Sequence, residues 1–165
     1  MALPKLILAP VDFSEHSQQS VQVAADYAAR LGADLLLVHT VPAIPKLPSP
    51  ATIFREGEYE DELRKDAEQR LQALAQDMAK KGVRVRTEVG IANDVGMELL
   101  RIGEHNHVDL IVIARHGMTG WHRLAFGSVA EKVVKLATCP VLVLRAQLKS
   151  EQEAPGKASQ SVVAR

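Results

Sequence analysis

Between positions 114 and 131 the chain reads Ala114-Arg115-His116-Gly117-Met118-Thr119-Gly120 and, six residues on, Gly127-Ser128-Val129-Ala130-Glu131. Gly117 and Gly120 let backbone amides come close to a ligand. Gly127 with Ser128 leads the chain onto the start of a helix, whose unpaired amides favour a phosphate. The same residues admit a second reading: Ser128 and Glu131 have the spacing of a capping box, in which the hydroxyl binds one end amide and the carboxylate reaches back to another. One hydroxyl can orient the helix end and also face a ligand, so both readings stand at this point.

Other reactive residue types form no chemical set. His105 and His107 have the spacing of opposite sides of an exposed turn, with no cysteine or carboxylate set to complete a zinc site. His39 falls inside an apolar run and reads as a satisfied core residue, while His116 and His122 flank the glycines in a loop. Cys139 precedes a proline at a strand start, where a small apolar side chain suits burial, and no His and acid pair is positioned to activate it. The chain has no Gly-x-x-x-x-Gly-Lys-Ser/Thr loop, so the lysine that grips terminal phosphates in P-loop hydrolases is missing. No G-x-G-x-x-G follows the first strand, which argues against a dinucleotide-dependent oxidoreductase.

The glycine segment must be positioned by the elements around it. Lys5 to Val11 is a short apolar run, followed by Asp12-Phe13-Ser14 and then by Val21, Ala24, Ala25, Ala28 and Leu31 at helical spacing. Ser14 is the expected N-cap and Gly32 the left-handed residue that ends this helix. Asp34 to Val41 is nearly continuous in apolar side chains, as in a strand covered on both faces. Pro42, Pro45, Pro48 and Pro50 then predict a long surface loop over 42–57. Leu63, Ala67, Leu71, Leu74 and Met78 form the stripe of an amphipathic helix over 58–81, ended by Gly82. Val83 to Val89 alternates strictly, predicting an edge strand. Asn93 or Asp94 can cap a helix carrying Val95, Leu99, Leu100 and Ile102. Asp109 to Ala114 is a fourth strand, Ser128 to Ala137 a last helix and Pro140 to Leu144 a fifth strand.

Repeated alternation of strand and helix predicts an α/β fold with a doubly wound parallel sheet, in which ligands sit at the carboxyl ends of strands where the winding reverses. One domain over 1–146 is expected, followed by a polar, aperiodic and disordered tail over 147–165. The 165 residues, 47% of them hydrophobic, suffice for one continuous core. Twenty basic and twenty acidic side chains cancel, leaving no field to gather nucleic acid or anionic lipid. A single cysteine, a start without a secretory apolar stretch and no run near the roughly 20 residues of a membrane span predict a cytoplasmic protein without direct membrane insertion.

The segment Gly117, nine residues, Gly127-Ser128 resembles the universal stress protein family, whose nucleotide-binding members carry glycine, two residues, glycine, nine residues, then glycine and serine or threonine. Ala114 stands where that pattern has its first glycine, and Ala92 where many relatives have proline. The resemblance extends to Pro10-Val11-Asp12-Phe13-Ser14, Val38-His39-Thr40 and Cys139-Pro140-Val141-Leu142-Val143, and covers about residues 3 to 146. It implies a three-layer, Rossmann-like sheet of order 3-2-1-4-5 that binds ATP or AMP, with Mg²⁺ held through phosphates rather than by protein side chains. By matching position, Asp12 and Thr40 would border the adenosine beside Pro10 and Val11. Asp12, at a strand's carboxyl end, can accept from ribose hydroxyls or can simply favour the dipole of the helix it leads. Ile113 and Ala114 would line the floor, Gly117, Gly127, Ser128 and Val129 would take the phosphates, and Arg115 or Arg123 would neutralise charge. A homodimer through the uncharged fifth strand, Val141, Leu142, Val143 and Leu144, is also implied. Two functions are expected from these features. One is a nucleotide-binding stress regulator or sensor with no or very slow ATP hydrolysis; the other is a protein of the same fold that holds no nucleotide and acts through protein contacts.

Overall fold

The computed structural model describes residues 3–43, 50–115 and 127–145, and for 50–58 the backbone alone. Among these residues the elements run β1 (Leu6–Pro10), α1 (Glu15–Leu31), β2 (Asp34–Val41), α2 (Pro50–Ala79), β3 (Val85–Ile91), α3 (Val95–His105), β4 (Leu110–Ala114), α4 (Ser128–Leu136) and β5 (Val141–Leu144). The strands form one parallel sheet of order β3-β2-β1-β4-β5, which is the expected winding. Successive side chains on a strand point to opposite faces, and each face is covered. Ile7, Ala9, Leu35, Leu37 and Val112 pack with Val21, Ala24, Ala25 and Ala28 of α1 and with Leu71, Ala75 and Met78 of α2. Leu6, Leu8, Leu36, Val38, Ile111 and Ile113 pack with Leu99 and Ile102 of α3 and with Ala130 and Val133 of α4. Three alanines along α1 bring that helix close to the middle of the sheet.

Local signals account for most element ends. Ser14 caps α1 by accepting from the Ser17 amide at 3.2 Å, and Gly32 closes it with φ of 68°, its N–H donating to Ala28 O. Asp94 caps α3 by accepting from the Met97 amide at 3.1 Å. Asp109 leaves β4 one residue shorter than expected because its Oδ2 accepts from the Lys5 and Leu6 amides at 2.8 and 3.0 Å, which pins the start of β1. β3 is an edge strand as predicted but is displaced two residues along the chain. Gly82, at φ 80°, turns the backbone, Val83 is buried in that turn, and pairing with β2 runs on to Thr40↔Gly90 and Val41↔Ile91.

The proline-rich stretch needs a correction. A loop over 42–57 was expected, yet α2 starts at Pro50. A proline in the first helical turn lacks only an N–H that would have had no partner there, and its fixed φ suits a helix. Residues 44–49, 116–126 and the expected tail over 147–165 lie outside the described residues.

Leu37 is fully buried between both neighbours of β2, whereas Ile91 is 37% exposed at the sheet edge. Leu37→Ala is therefore expected to lower unfolding free energy by about 3 kcal/mol in urea titrations and Ile91→Ala by under roughly 1 kcal/mol; equal losses would contradict the layering described.

Candidate functional site

β1 is paired on one side with β2, to which the chain crosses through α1, and on the other with β4, reached only after α3. The winding reverses at β1, and the loops leaving its carboxyl end and that of β4 part to opposite faces. A cleft of about 260 Å³ opens there. Pro10, Val11 and Asp12 enter it from the end of β1, Thr40 from β2, and Ile113, Ala114 and Arg115 from β4; Gly127, Ser128 and Val129 enter from the start of α4. The fold thus brings together every described residue that the resemblance assigned to the nucleotide. Gly117, Gly120, Arg123, His116 and His122 lie outside the described residues.

The remaining lining is Ser17, Val38, His39, Val95, Leu99 and Ala130. Sequence reasoning did not assign these to the site, and treated His39, Val95 and Leu99 as structural. The one signal for the α3 pair was their i, i+4 spacing on the helix face that turns inward.

Asp12 is held by its own turn. Its Oδ1 accepts from the Ser14 amide at 3.0 Å and from Ser14 Oγ at 2.6 Å, and its amide donates to Ser17 Oγ at 3.3 Å. Ser14 therefore caps α1 and orients the carboxylate with the same hydroxyl. Phe13, between them, has φ of 62°, a left-handed conformation that costs a non-glycine residue on the order of 1 kcal/mol. Its ring has two partners: the Arg70 guanidinium lies over it, 3.8 Å from the centroid, and the His39 ring is tilted against it at 42°, 4.6 Å away. These contacts offset the strain. His39 Nδ1 lies 2.6 Å from Val11 O. A carbonyl only accepts, so Nδ1 carries the proton and Nε2 of the neutral ring is an acceptor. His39 is thus satisfied, as expected, but it is a half-buried wall of the cleft instead of core.

At the opposite side of the cleft the capping-box reading fails. The N-cap of α4 is Gly127, which has no side chain to cap with, and Ser128 is the first helical residue. The box requires the hydroxyl one position earlier, outside the helix. Glu131, its supposed partner, instead pairs with Lys135 at 2.6 Å, and that lysine holds its carboxyl below the usual range. Gly127 makes no side-chain cap, and the positive end of the helix dipole faces the cleft. The Gly127 amide donates to Arg115 O at 2.9 Å and the Arg115 amide to Leu144 O at 2.8 Å, so residues 115 and 127 meet beside the sheet.

α3 and α4 are tied to each other above the cleft. Lys132 Nζ pairs with Asp94, whose carboxyl is held below its ordinary value by that lysine first and by the Met97 amide. The stem of Lys132 crosses Gly96, where a Cβ would stand 2.8 Å from Lys132 Cδ. Elsewhere, His105 and His107 are exposed, and no cluster of three or more His, Cys, Asp or Glu side chains among the described residues could hold a metal. Burial pushes the Cys139 thiol up, away from the thiolate a nucleophile needs. Among the described residues no helix is long and apolar enough to cross a membrane.

The sequence pattern of the universal stress protein family matches residues 4–145. The chain belongs to the universal stress protein family. A universal stress protein of Methanocaldococcus jannaschii is 34% identical over 146 residues, 87% of this chain and 83% of that relative. The solved universal stress protein UspA of Lactobacillus plantarum superposes with a TM-score of 0.75 at 28% identity, covering 86% of this chain and 97% of its own. Two more distant solved members, one in complex with cAMP and one from Archaeoglobus fulgidus in complex with dAMP, share the fold at 18% and 19% identity. Each has a TM-score of 0.60 and covers 87% of this chain and 98% of its own.

Ser14→Ala removes the N-cap of α1 and the hydrogen bond that the Ser14 hydroxyl gives to the Asp12 carboxylate. In this universal stress protein it is expected to lower unfolding free energy by about 1 kcal/mol, with Ser14→Asp recovering most of the loss through its capping carboxylate. Denaturation in urea measures both, and an unchanged Ser14→Ala midpoint would contradict the shared role.

Proposed function

We propose that this universal stress protein binds ATP or AMP in the cleft at the carboxyl ends of β1, β2 and β4 and acts in the cytoplasm as a nucleotide-sensing stress regulator, with no or very slow hydrolysis. The observation that carries this reading is the polarity of the cleft. One end is the amino terminus of α4, whose N-cap Gly127 has no side chain to cap with, suited to phosphate; the other is apolar, between Val38, Val95 and Leu99, suited to a base. Between them stands an oriented carboxylate, Asp12, suited to ribose hydroxyls. The family members solved with cAMP and dAMP support the choice of an adenine nucleotide.

In this reading Thr40 borders the base beside Pro10 and Val11, and Ile113 and Ala114 form the floor. Gly127, Ser128 and Val129 offer amides to the phosphates, with Arg115 close enough to balance charge. Gly117 and Arg123, also implied by the resemblance as phosphate contacts, lie outside the described residues. The described side chains supply no clustered acidic ligands, so Mg²⁺ accompanying ATP would be held by phosphate oxygens and water. Among the described residues the site offers positioning of the nucleotide and no side chain placed as a base for attack on phosphorus. The methyl group of Ala114 favours the second reading, a stress protein that works through protein contacts alone. Saturable ATP binding in calorimetry, weakened at least about tenfold by Ser128→Asp with the melting temperature kept, is the expected outcome. The introduced acid suits the helix dipole but repels phosphate. No saturable binding by the unaltered protein at millimolar ATP would favour the second reading.

We also infer a homodimer through β5. Val141, Leu142, Val143 and Leu144 are half-buried and carry no charge, and an uncharged edge strand accepts another strand. Val143→Lys is expected to reduce the mass in light scattering from twice 18.0 kDa to 18.0 kDa; an unaltered protein already at the smaller mass would refute the dimer.

A further inference from the structure

The β2 end of the cleft contains a polar atom for which the fold has no use. Thr40 lines the cleft, yet its Oγ1 is shut off from solvent and has no hydrogen-bond partner. The residue as a whole is only half-buried, so the surface that Thr40 presents is carbon and backbone. Buried polar atoms are satisfied as a rule, and a hydroxyl stripped of water with nothing in exchange destabilises the fold that contains it. A valine of nearly the same shape would avoid that penalty. Thr40 therefore stands where stability alone would favour an apolar residue, among Val38, Val95 and Leu99.

The topology decides which part of a nucleotide reaches it. Neighbouring strands lie roughly 4.8 Å apart, and β1 separates β2 from β4. The end of β2 is thus about 10 Å from the end of β4, beside which α4 begins. A ligand whose phosphates sit at the start of α4 extends its base over β1 toward Thr40.

Resting on the nucleotide reading above, we propose that the Thr40 hydroxyl is the side-chain group that reads the base, a more specific role than bordering it. Rotation about χ1, which has several staggered wells in an extended strand, turns Oγ1 from the wall into the cleft. There it donates to a ring nitrogen of adenine or accepts from the exocyclic amine. The bound state then satisfies the atom that the free state leaves unpaired. Guanine brings an additional amino group and a ring N–H against the same apolar wall, leaving more polar groups without partners, and is disfavoured.

Calorimetric titration of the unaltered protein, Thr40→Val and Thr40→Ser with ATP and with GTP, alongside thermal unfolding without ligand, tests this. Thr40→Val is expected to raise the melting temperature of the unliganded protein by about 2–4 °C. It is expected to weaken ATP roughly tenfold and GTP little, while Thr40→Ser stays within about threefold for ATP. ATP binding by Thr40→Val as tight as that of the unaltered protein would overturn the role of the hydroxyl and leave the nucleotide reading intact. So would a loss of affinity accompanied by a fall in melting temperature, which marks a structural residue. Absence of ATP binding in the unaltered protein would instead overturn the nucleotide reading and this inference with it.

Discussion

The pairing of β1 with both β2 and β4 is the constraint on which the rest of the structure depends. A parallel strand cannot turn directly into its neighbour, so each connection must cross a face of the sheet, and winding outward from a central strand in two directions sends the crossovers to opposite faces. The crevice left between them is a consequence of topology. Side chains do not have to carve it; they only decide what it holds. β1 can occupy that central place because Leu6, Ile7, Leu8 and Ala9 are all buried and alternate between two apolar layers, and because Asp109 fixes where the strand begins.

Within that crevice the chain arranges its few polar groups with economy. Ser14 serves the α1 terminus and the Asp12 carboxylate together. Arg70 and His39 both pack against the Phe13 ring and so hold a backbone conformation that phenylalanine resists. Gly127 begins α4 without offering a side-chain cap, which leaves the helix dipole directed at the cleft. Asp94 and Lys132 couple the two helices that make the outer wall, and Gly96 is the space that lets them approach. Each arrangement is modest in energy. Together they place a charged, an apolar and a hydroxyl-accepting region around one cleft.

Much of this was legible in the residues. β2 was bounded correctly because Leu35 to Val38 admits no exposed face, and the end of α1 because Gly32 must adopt positive φ. What failed was the meaning of residues that obey two rules at once. Pro50 was counted with the prolines that break structure, although in a first turn it belongs to the helix. Ser128 was one position too far along for the capping box its spacing suggested. Val95 and Leu99 read as core and do pack there, but nothing local reveals that they also line a cleft with the end of β2, more than fifty residues earlier. Thr40 could be named from its place on the strand, but the unpaired state of its hydroxyl depends on packing that no sequence spacing records.

The central claim is that backbone amides at the start of α4 hold the anionic part of a ligand while the sheet holds the rest. Backbone amide chemical shifts recorded during titration with AMP test it most directly. The account predicts saturable shifts concentrated at Ser128, Val129 and Ala130, with Asp12 and Thr40 moving at the same ligand concentration. Shifts confined to other surfaces, leaving the α4 amides where they began, would contradict it.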